Sequence, residues 1–182
     1  MKSDLLKALQ YPIGQFVKPD IIDLNTISLW INDIELFPSK LVYCMSDLNS
    51  QHLNLLHRPD GWSIKQIVHH CADSHMNAFI RFKIALTEEN PTIKPYYEDR
   101  WANLPDSMLD DVETSLSLLT SLHHRWSVLL KNLTEKDLER TFVHPEHGRK
   151  ISLDENIGMY AWHCNHHLAH VKNAKMSEGN FS

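Results

Sequence analysis

Four stretches of this chain carry apolar residues at helical spacing, and this periodicity constrains the fold more than any other feature. The first runs from about 25 to 46, the second spans 63–88, the third runs from about 107 to 132, and the fourth runs from 153 to about 175. A chain of 182 residues is long enough to bury one core between four such helices. An all-α fold, a four-helix bundle, is therefore expected.

The beginnings of two of these helices are marked by capping-box patterns. Ser63 with Gln66, and Ser152 with Glu155, place a hydroxyl three residues before a side chain that can bond back to the cap. Pro38 lies inside the first stretch and lacks the backbone N–H that a helix uses, so a kink or a break is expected there.

The segments between the helices indicate long connections within one domain, 1–182. Residues 1–24 contain two prolines and a glycine and are expected to form an extended lead-in. Residues 90–106 contain three prolines and cannot form one helix. Residues 134–151 suggest a small hairpin or an irregular loop before the last helix. The bundle is expected to contain at least one long crossover connection.

Composition excludes several classes of function. The net charge of −5 and the absence of a basic patch argue against a nucleic-acid partner. No apolar run approaches the roughly 20 residues that span a membrane, and the N-terminus lacks a signal-peptide core, so a cytoplasmic location is expected. The three cysteines are far apart, which predicts no disulfide framework and no thiolate zinc site; we expect them to be small buried residues. They are Cys44, Cys71 and Cys164.

Histidine is unusually frequent, with 13 residues, and the fourth helix carries a ladder of them. His163 and His167 are one turn apart, about 40° on a helical wheel, and two imidazoles at this spacing can bind one ion. His170 lies in the same stripe, and His166 lies just beside it. The stripe runs next to the apolar face, so these rings are expected at the margin of the core, where unpartnered imidazoles are costly.

On the second helix, His70 is the best candidate for a third ligand. His69 points about 100° away and is expected at the surface or behind a ligand, and an exposed or capped position is expected for His75. The polar residues that share the face of His70, at offsets of 4, 7 and 11, are Ser74, Asn77 and Arg81. They suggest one wall of a substrate pocket, although Arg81 should lie about 16 Å along the axis from His70, too far to touch the ion.

The donor set itself indicates which metal chemistry to expect. The His-Glu-x-x-His pattern of zinc proteases and the Glu-x-x-His pairs of di-iron bundles are both absent. Three neutral imidazoles without a carboxylate suit one Zn²⁺ or Ni²⁺ ion better than Mg²⁺ or Ca²⁺. Three protein ligands also leave a coordination position open, which is typical of a catalytic site.

Two long segments resemble the DinB/YfiT-like superfamily, specifically its YfiT branch. They are GWSIKQIVHHCADSHMN at 61–77 and YAWHCNHHLAH at 160–170, and the similarity extends over nearly the whole chain. The resemblance implies a four-helix bundle, commonly a homodimer, with nickel or zinc bound by His70, His163 and His167. Members of this branch are provisionally named metal-dependent hydrolases, and some related proteins transfer low-molecular-weight thiols such as bacillithiol.

Three functions remain open on these grounds. The first is hydrolysis of a small-molecule substrate by metal-bound water, whose pKa such an ion lowers toward about 7. The second is transfer of a low-molecular-weight thiol to an electrophile. The third is a non-catalytic metal-binding stress protein, whose ion would be closed by His166 or His170. The residues expected to serve a substrate are Ser74, Asn77, Arg81 and Tyr160, with the loop aromatics Tyr96, Tyr97 and Trp101 and, as a base, Asp73.

Overall fold

The computed structural model describes residues 2–146 and 148–181, so Met1, His147 and Ser182 lie outside it. Four long helices form the bundle, which confirms the expected fold. They are α2 (Leu24–Met45), α3 (Ile64–Thr87), α5 (Glu113–Lys131) and α7 (Leu153–Ser177). The shorter elements are α1 (Lys2–Gln10), α4 (Glu98–Trp101), α6 (Glu135–Leu138), β1 (Thr141–His144) and β2 (Arg149–Ser152).

The directions of the long helices follow from the residues that meet between them. His69 and Phe82 of α3 contact Ser115 and Trp126 of α5, in the same order along both helices, so α3 and α5 run in the same direction. Two consecutive bundle helices that run in the same direction need a connection as long as the bundle. Residues 88–112 form this crossover, as the prolines there suggest.

The last helix runs antiparallel to α3, and this places its histidine ladder against the first half of α3. His70 packs against His167, whereas Ser74, one turn later, lies near Tyr160, which precedes His167 by two turns. No helix among the described residues combines the length and the apolar character needed to cross a bilayer.

The predicted hairpin before the last helix is confirmed. Strands β1 and β2 pair antiparallel, with Phe142 opposite Ile151, and both side chains are buried in the core. Thr92 of the crossover forms an isolated bridge with Val143, so the crossover and the hairpin close the same end of the bundle.

The expected extended lead-in is wrong, and of the two alternatives expected at Pro38, a kink or a break, the structure contradicts the break. Residues 2–10 form helix α1 instead of an extended lead-in, because this stretch is rich in residues with high helix propensity and precedes the breakers Pro12 and Gly14. Pro38 does not break α2, which continues as one helix of 22 residues to Met45.

The expected start of the third long helix and the expected cap of the fourth also differ from the structure. The third long helix begins at Glu113 and not at 107, because α3 holds the preceding backbone as a loop: Lys65 binds the carboxylate of Asp110 at 2.9 Å, and His69 binds the carbonyl of Leu109 at 3.0 Å. The second capping box does not form, since Ser152 makes no side-chain cap bond and the Glu155 carboxylate pairs with Arg149.

Candidate metal centre

Three histidine side chains from two antiparallel helices converge at one end of the bundle. His163 and His167 lie one turn apart on α7, with ring centroids 4.4 Å apart, and His70 reaches them from α3. The centroid of the His70 ring is 5.4 Å from that of His163 and 4.9 Å from that of His167. One ligand atom from each ring lies within 4.8 Å of the others, as expected of a group that can hold a single ion.

The spacing of the nitrogens fits the donor geometry of a transition metal. His70 Nε2 and His163 Nε2 are 3.4 Å apart. Two nitrogens bound to one zinc at about 2.1 Å in tetrahedral geometry are separated by about 3.4 Å. The pair is therefore spaced as ligands of one ion would be.

Burial keeps these imidazoles in the neutral form that binds metal. Burial, and then the neighbouring His166, lowers the pKa of His70 to about 3. Burial and the adjacent histidines also hold the pKa of His163 and of His167 well below the usual value. Trp62 packs on His70 at a centroid distance of 4.6 Å and shields that side of the cluster.

Behind His163, a chain of histidines continues into the core of the bundle. His163 Nδ1 lies 3.0 Å from His75 Nε2, and His75 Nδ1 lies 2.8 Å from His123 Nε2. The chain ends where His123 Nδ1 lies 2.6 Å from the backbone carbonyl of Ile34. We call His163, His75 and His123 the histidine chain.

The terminal carbonyl determines which nitrogens of the histidine chain carry protons. A carbonyl oxygen only accepts, so His123 Nδ1 must donate to Ile34, and its Nε2 must accept from His75 Nδ1. His75 Nε2 then accepts from His163 Nδ1, which leaves His163 Nε2 with a free lone pair. That nitrogen is the one that faces His70, so the core sets the tautomer that a metal ligand needs.

A shorter arrangement supports His167 in the same way. His170 Nε2 lies 3.2 Å from the carbonyl of Gln10 at the end of α1, so this nitrogen donates. Its other nitrogen, Nδ1, lies 3.5 Å from His167 Nδ1 and can accept a hydrogen bond from it. His167 Nε2 then also carries a free lone pair, and α1 contributes to the site through this contact.

Replacing His123 by phenylalanine is expected to weaken metal binding by about 10–100-fold, the usual effect of removing a group that orients a ligand. Without the acceptor on His123, His75 can exchange its tautomer and no longer requires a proton on His163 Nδ1. A competition titration with a chromophoric chelator measures the change. Ser127→Ala, which removes a buried hydroxyl from the same helix that has no hydrogen-bond partner among the described residues, is the control and should keep its affinity. Unchanged affinity in His123→Phe would contradict the orienting role.

The cluster opens into a cavity of about 410 Å³, large enough for a small molecule. Ser74, Arg81 and Tyr160 line it together with the three candidate ligands, as the sequence suggested. Asn77 does not: its amide donates to the carbonyl of Asp73 on its own helix at 2.9 Å. Its short side chain reaches its own backbone more readily than the cavity. Other residues of the wall include Trp62, Tyr96, Phe142, His144 and Met159.

Two histidines of α3 lie deeper than expected. His75 is fully buried, because it is a link of the histidine chain, and His69 is also buried, between Ser115 and the carbonyl of Leu109. His123 was missed, although it lies four residues after Leu119 and three before Trp126, in the apolar stripe of α5. A histidine within an apolar stripe is the signal that could have indicated its role.

The cysteines and Asp73, which the sequence also singled out, lie outside the candidate metal site. All three cysteines are free and buried, as expected. Burial and the neighbouring Asp106 raise the pKa of Asp73 to about 6, but Asp73 is not part of the cavity wall.

His166, His167 and His170 form a second group of potential ligands that shares His167 with the first. Both nitrogens of His170 are engaged, Nε2 with the carbonyl of Gln10 and Nδ1 with His167 Nδ1, which favours the group that contains His70.

Comparisons with known proteins identify the family of the chain. The family model described as the DinB superfamily matches residues 34–171, which include all three candidate ligands. The chain belongs to the DinB superfamily. Among the solved structures, YfiT of Bacillus subtilis matches with a TM-score of 0.92 and 41% identity over 94% of this chain and 98% of that one. It is described, provisionally, as a metal-dependent hydrolase with an unusual four-helix bundle topology.

Curated relatives within the DinB superfamily carry a consistent name. A protein of Bacillus mycoides is 51% identical over 91% of this chain and 95% of its own length. One of Oceanobacillus iheyensis is 52% identical over 89% of this chain and 93% of its own length. Both are provisionally named metal-dependent hydrolases. A metal ion is therefore indicated both by the names of the relatives and by the histidine cluster.

Proposed function

We propose that this protein is a metal-dependent hydrolase that cleaves a small ester or amide at a Zn²⁺ or Ni²⁺ ion bound by His70, His163 and His167. The observation that carries the proposal is the convergence of these three neutral imidazoles at the wall of a 410 Å³ cavity. The names of the relatives support the same class of reaction. Imidazole donors without a carboxylate favour zinc or nickel over harder ions.

The residues of the chain have distinct tasks in this proposal. An ion at this position would activate a water molecule and polarise the carbonyl of the substrate. The histidine chain holds His163 in the tautomer that can bind, and Trp62 excludes solvent from one side of His70. The cavity contains Ser74 and Tyr160, whose hydroxyls can orient the substrate.

A direct assay tests the proposal against its alternatives. Protein loaded with zinc or nickel is mixed with a panel of activated esters, with and without a low-molecular-weight thiol. Turnover of ester without thiol, lost after removal of the metal by a chelator, supports hydrolysis. Product that forms only with thiol and an electrophile would replace the proposal by thiol transfer. Tight binding of one ion with no turnover under either condition would favour a non-catalytic metal-binding protein.

A further inference from the structure

Arg81 lies in the wall of the cavity with its positive charge uncompensated by any described residue. The side chain is 8% exposed, and its Nε has no hydrogen-bond partner. None of the ion pairs within residues 2–146 and 148–181 includes Arg81. Arginine remains charged at all physiological pH values, and a buried charge without a counter-ion is unfavourable.

The neighbours of the guanidinium group are neutral hydroxyls. Tyr160 lies close enough for the positive charge of Arg81 to act on its phenol, although burial, the larger effect, raises the pKa of Tyr160, and its hydroxyl lies 3.5 Å from the carbonyl of Ser74. Tyr96 lies close enough for the positive charge of Arg81 to act on its phenol, although burial, the larger effect, raises the pKa of Tyr96. A guanidinium has five N–H donors, so the two phenol oxygens can satisfy at most part of its bonding capacity, and neither offsets its charge.

The acidic residues of the cavity do not neutralise Arg81. Glu98 and Glu146 line the cavity but are exposed, and neither forms an ion pair with Arg81. Among the residues that the structure describes, the cavity wall therefore has one buried cation, Arg81, and its carboxylates are at solvent-exposed positions. This arrangement suits a ligand that brings its own negative charge.

We propose that Arg81 is the binding site for a carboxylate of the substrate, so that the hydrolase acts on small anionic esters or amides. The planar guanidinium matches a carboxylate with two parallel hydrogen bonds, and the unpartnered Nε supplies one of them. This inference rests on the proposed hydrolytic function, because it places the other end of the substrate at His70, His163 and His167.

The positions along α3 limit the length of that substrate. Long side chains on a helix point back toward the N-terminus of that helix. The guanidinium of Arg81 therefore lies nearer to the candidate metal ligands than the backbone of Arg81 does. It meets Tyr160, whose ring centroid is 5.5 Å from that of His163. Ser74, beside Tyr160, is one helical turn, about 6 Å, beyond His70. A short chain of a few carbon atoms between the carboxylate and the scissile carbonyl fits this spacing.

The kinetic test compares an anionic ester with its neutral counterpart. Zinc-loaded protein is given monomethyl glutarate and the matched methyl ester in which a carboxamide replaces the carboxylate. We expect kcat/KM to favour the anion by about 10–100-fold, mostly through KM, as for a charged hydrogen bond. Arg81→Met should reduce this ratio to about 1, and Arg81→Lys should retain part of it. Lys83→Met, which removes an exposed cation from the same helix, should keep the wild-type ratio.

A binding measurement separates this inference from the hydrolytic proposal. In the zinc-loaded protein, the Nε–H resonance of Arg81 is identified by its absence in Arg81→Lys. It should shift on titration with glutaramate and stay in place with neutral glutaramide. If neither ester is hydrolysed, the hydrolytic function fails while this shift still shows an anion site. An unmoved resonance, or glutaramate binding that is as tight in Arg81→Met as in wild type, would overturn the inference.

Discussion

Replacing His163 by alanine is expected to abolish retention of a divalent ion by the purified protein. A four-ligand protein site binds zinc with roughly 10–16 kcal/mol, or about 3 kcal/mol per ligand, so loss of one ligand weakens binding on the order of 100-fold or more. The remaining His70 and His167 would hold an ion too weakly to survive gel filtration. Metal analysis by mass spectrometry after gel filtration measures the ion content per chain.

Two further variants make this result interpretable. His124→Ala removes an exposed histidine of α5 and should retain one ion per chain. His70→Ala should lose the ion as His163→Ala does, although it removes a ligand from a different helix. Circular dichroism checks that both ligand variants remain folded, since His70 is buried and His163 is partly buried. A folded His163→Ala protein that binds one ion with wild-type affinity would refute the ligand assignment.

Acidification is expected to unfold the metal-free protein well above pH 4. Burial lowers the pKa of His70 and His170 to about 3 and that of His123 and His166 to about 4, whereas unfolded histidines titrate near 6.5. Below pH 6.5 the unfolded chain therefore binds more protons than the folded one, and the free energy of unfolding falls as the pH falls. Stability is fully present above pH 6.5 and is lost below it.

The loss of unfolding free energy on acidification is large enough to unfold the metal-free protein. At pH 5.5 each histidine that stays neutral in the fold costs about 1.4 kcal/mol relative to pH 7.5, or about 6 kcal/mol for four. That approaches the 5–15 kcal/mol that usually stabilises a domain. The pKa values of four more histidines are lowered by burial: His57, His75, His163 and His167.

Urea unfolding of the metal-free protein at pH 7.5, 6.5 and 5.5 measures the effect as a falling midpoint. His166→Gln removes one of the titrating groups and should make the dependence on pH shallower by about one proton. A midpoint that stays constant from pH 7.5 to 5.5 would contradict the expectation, because it would mean that the folded protein takes up protons as readily as the unfolded chain.

Local sequence patterns predicted the long helices and the hairpin because these elements depend on interactions between near neighbours. The Ser63 and Gln66 capping box forms as expected. The second box failed because Arg149, from the paired strand, competes for Glu155. The start of α5 was missed for a similar reason, since Lys65 and His69 of another helix bind the loop before it.

The candidate ligands were predictable for a related reason. Helical geometry brings His163 and His167 to one face whatever the rest of the fold does, and His70 shares its face with Ser74 and Arg81. The same geometry included Asn77, which the structure places against its own backbone. A helical wheel predicts the direction in which a side chain leaves the helix, but it does not predict the group to which that side chain forms a hydrogen bond.

By itself, the sequence determined a four-helix bundle and the identity of its candidate ligands, since periodicity and i, i+4 spacing are properties of single helices. Only the tertiary structure decided that His75 and His123 are buried behind His163 and that Arg81 has no acidic partner within the described part of the chain. Those facts depend on which residues of α3, α5 and α7 meet across the bundle. Contacts between distant segments form only when the helices pack, so no local pattern contains them.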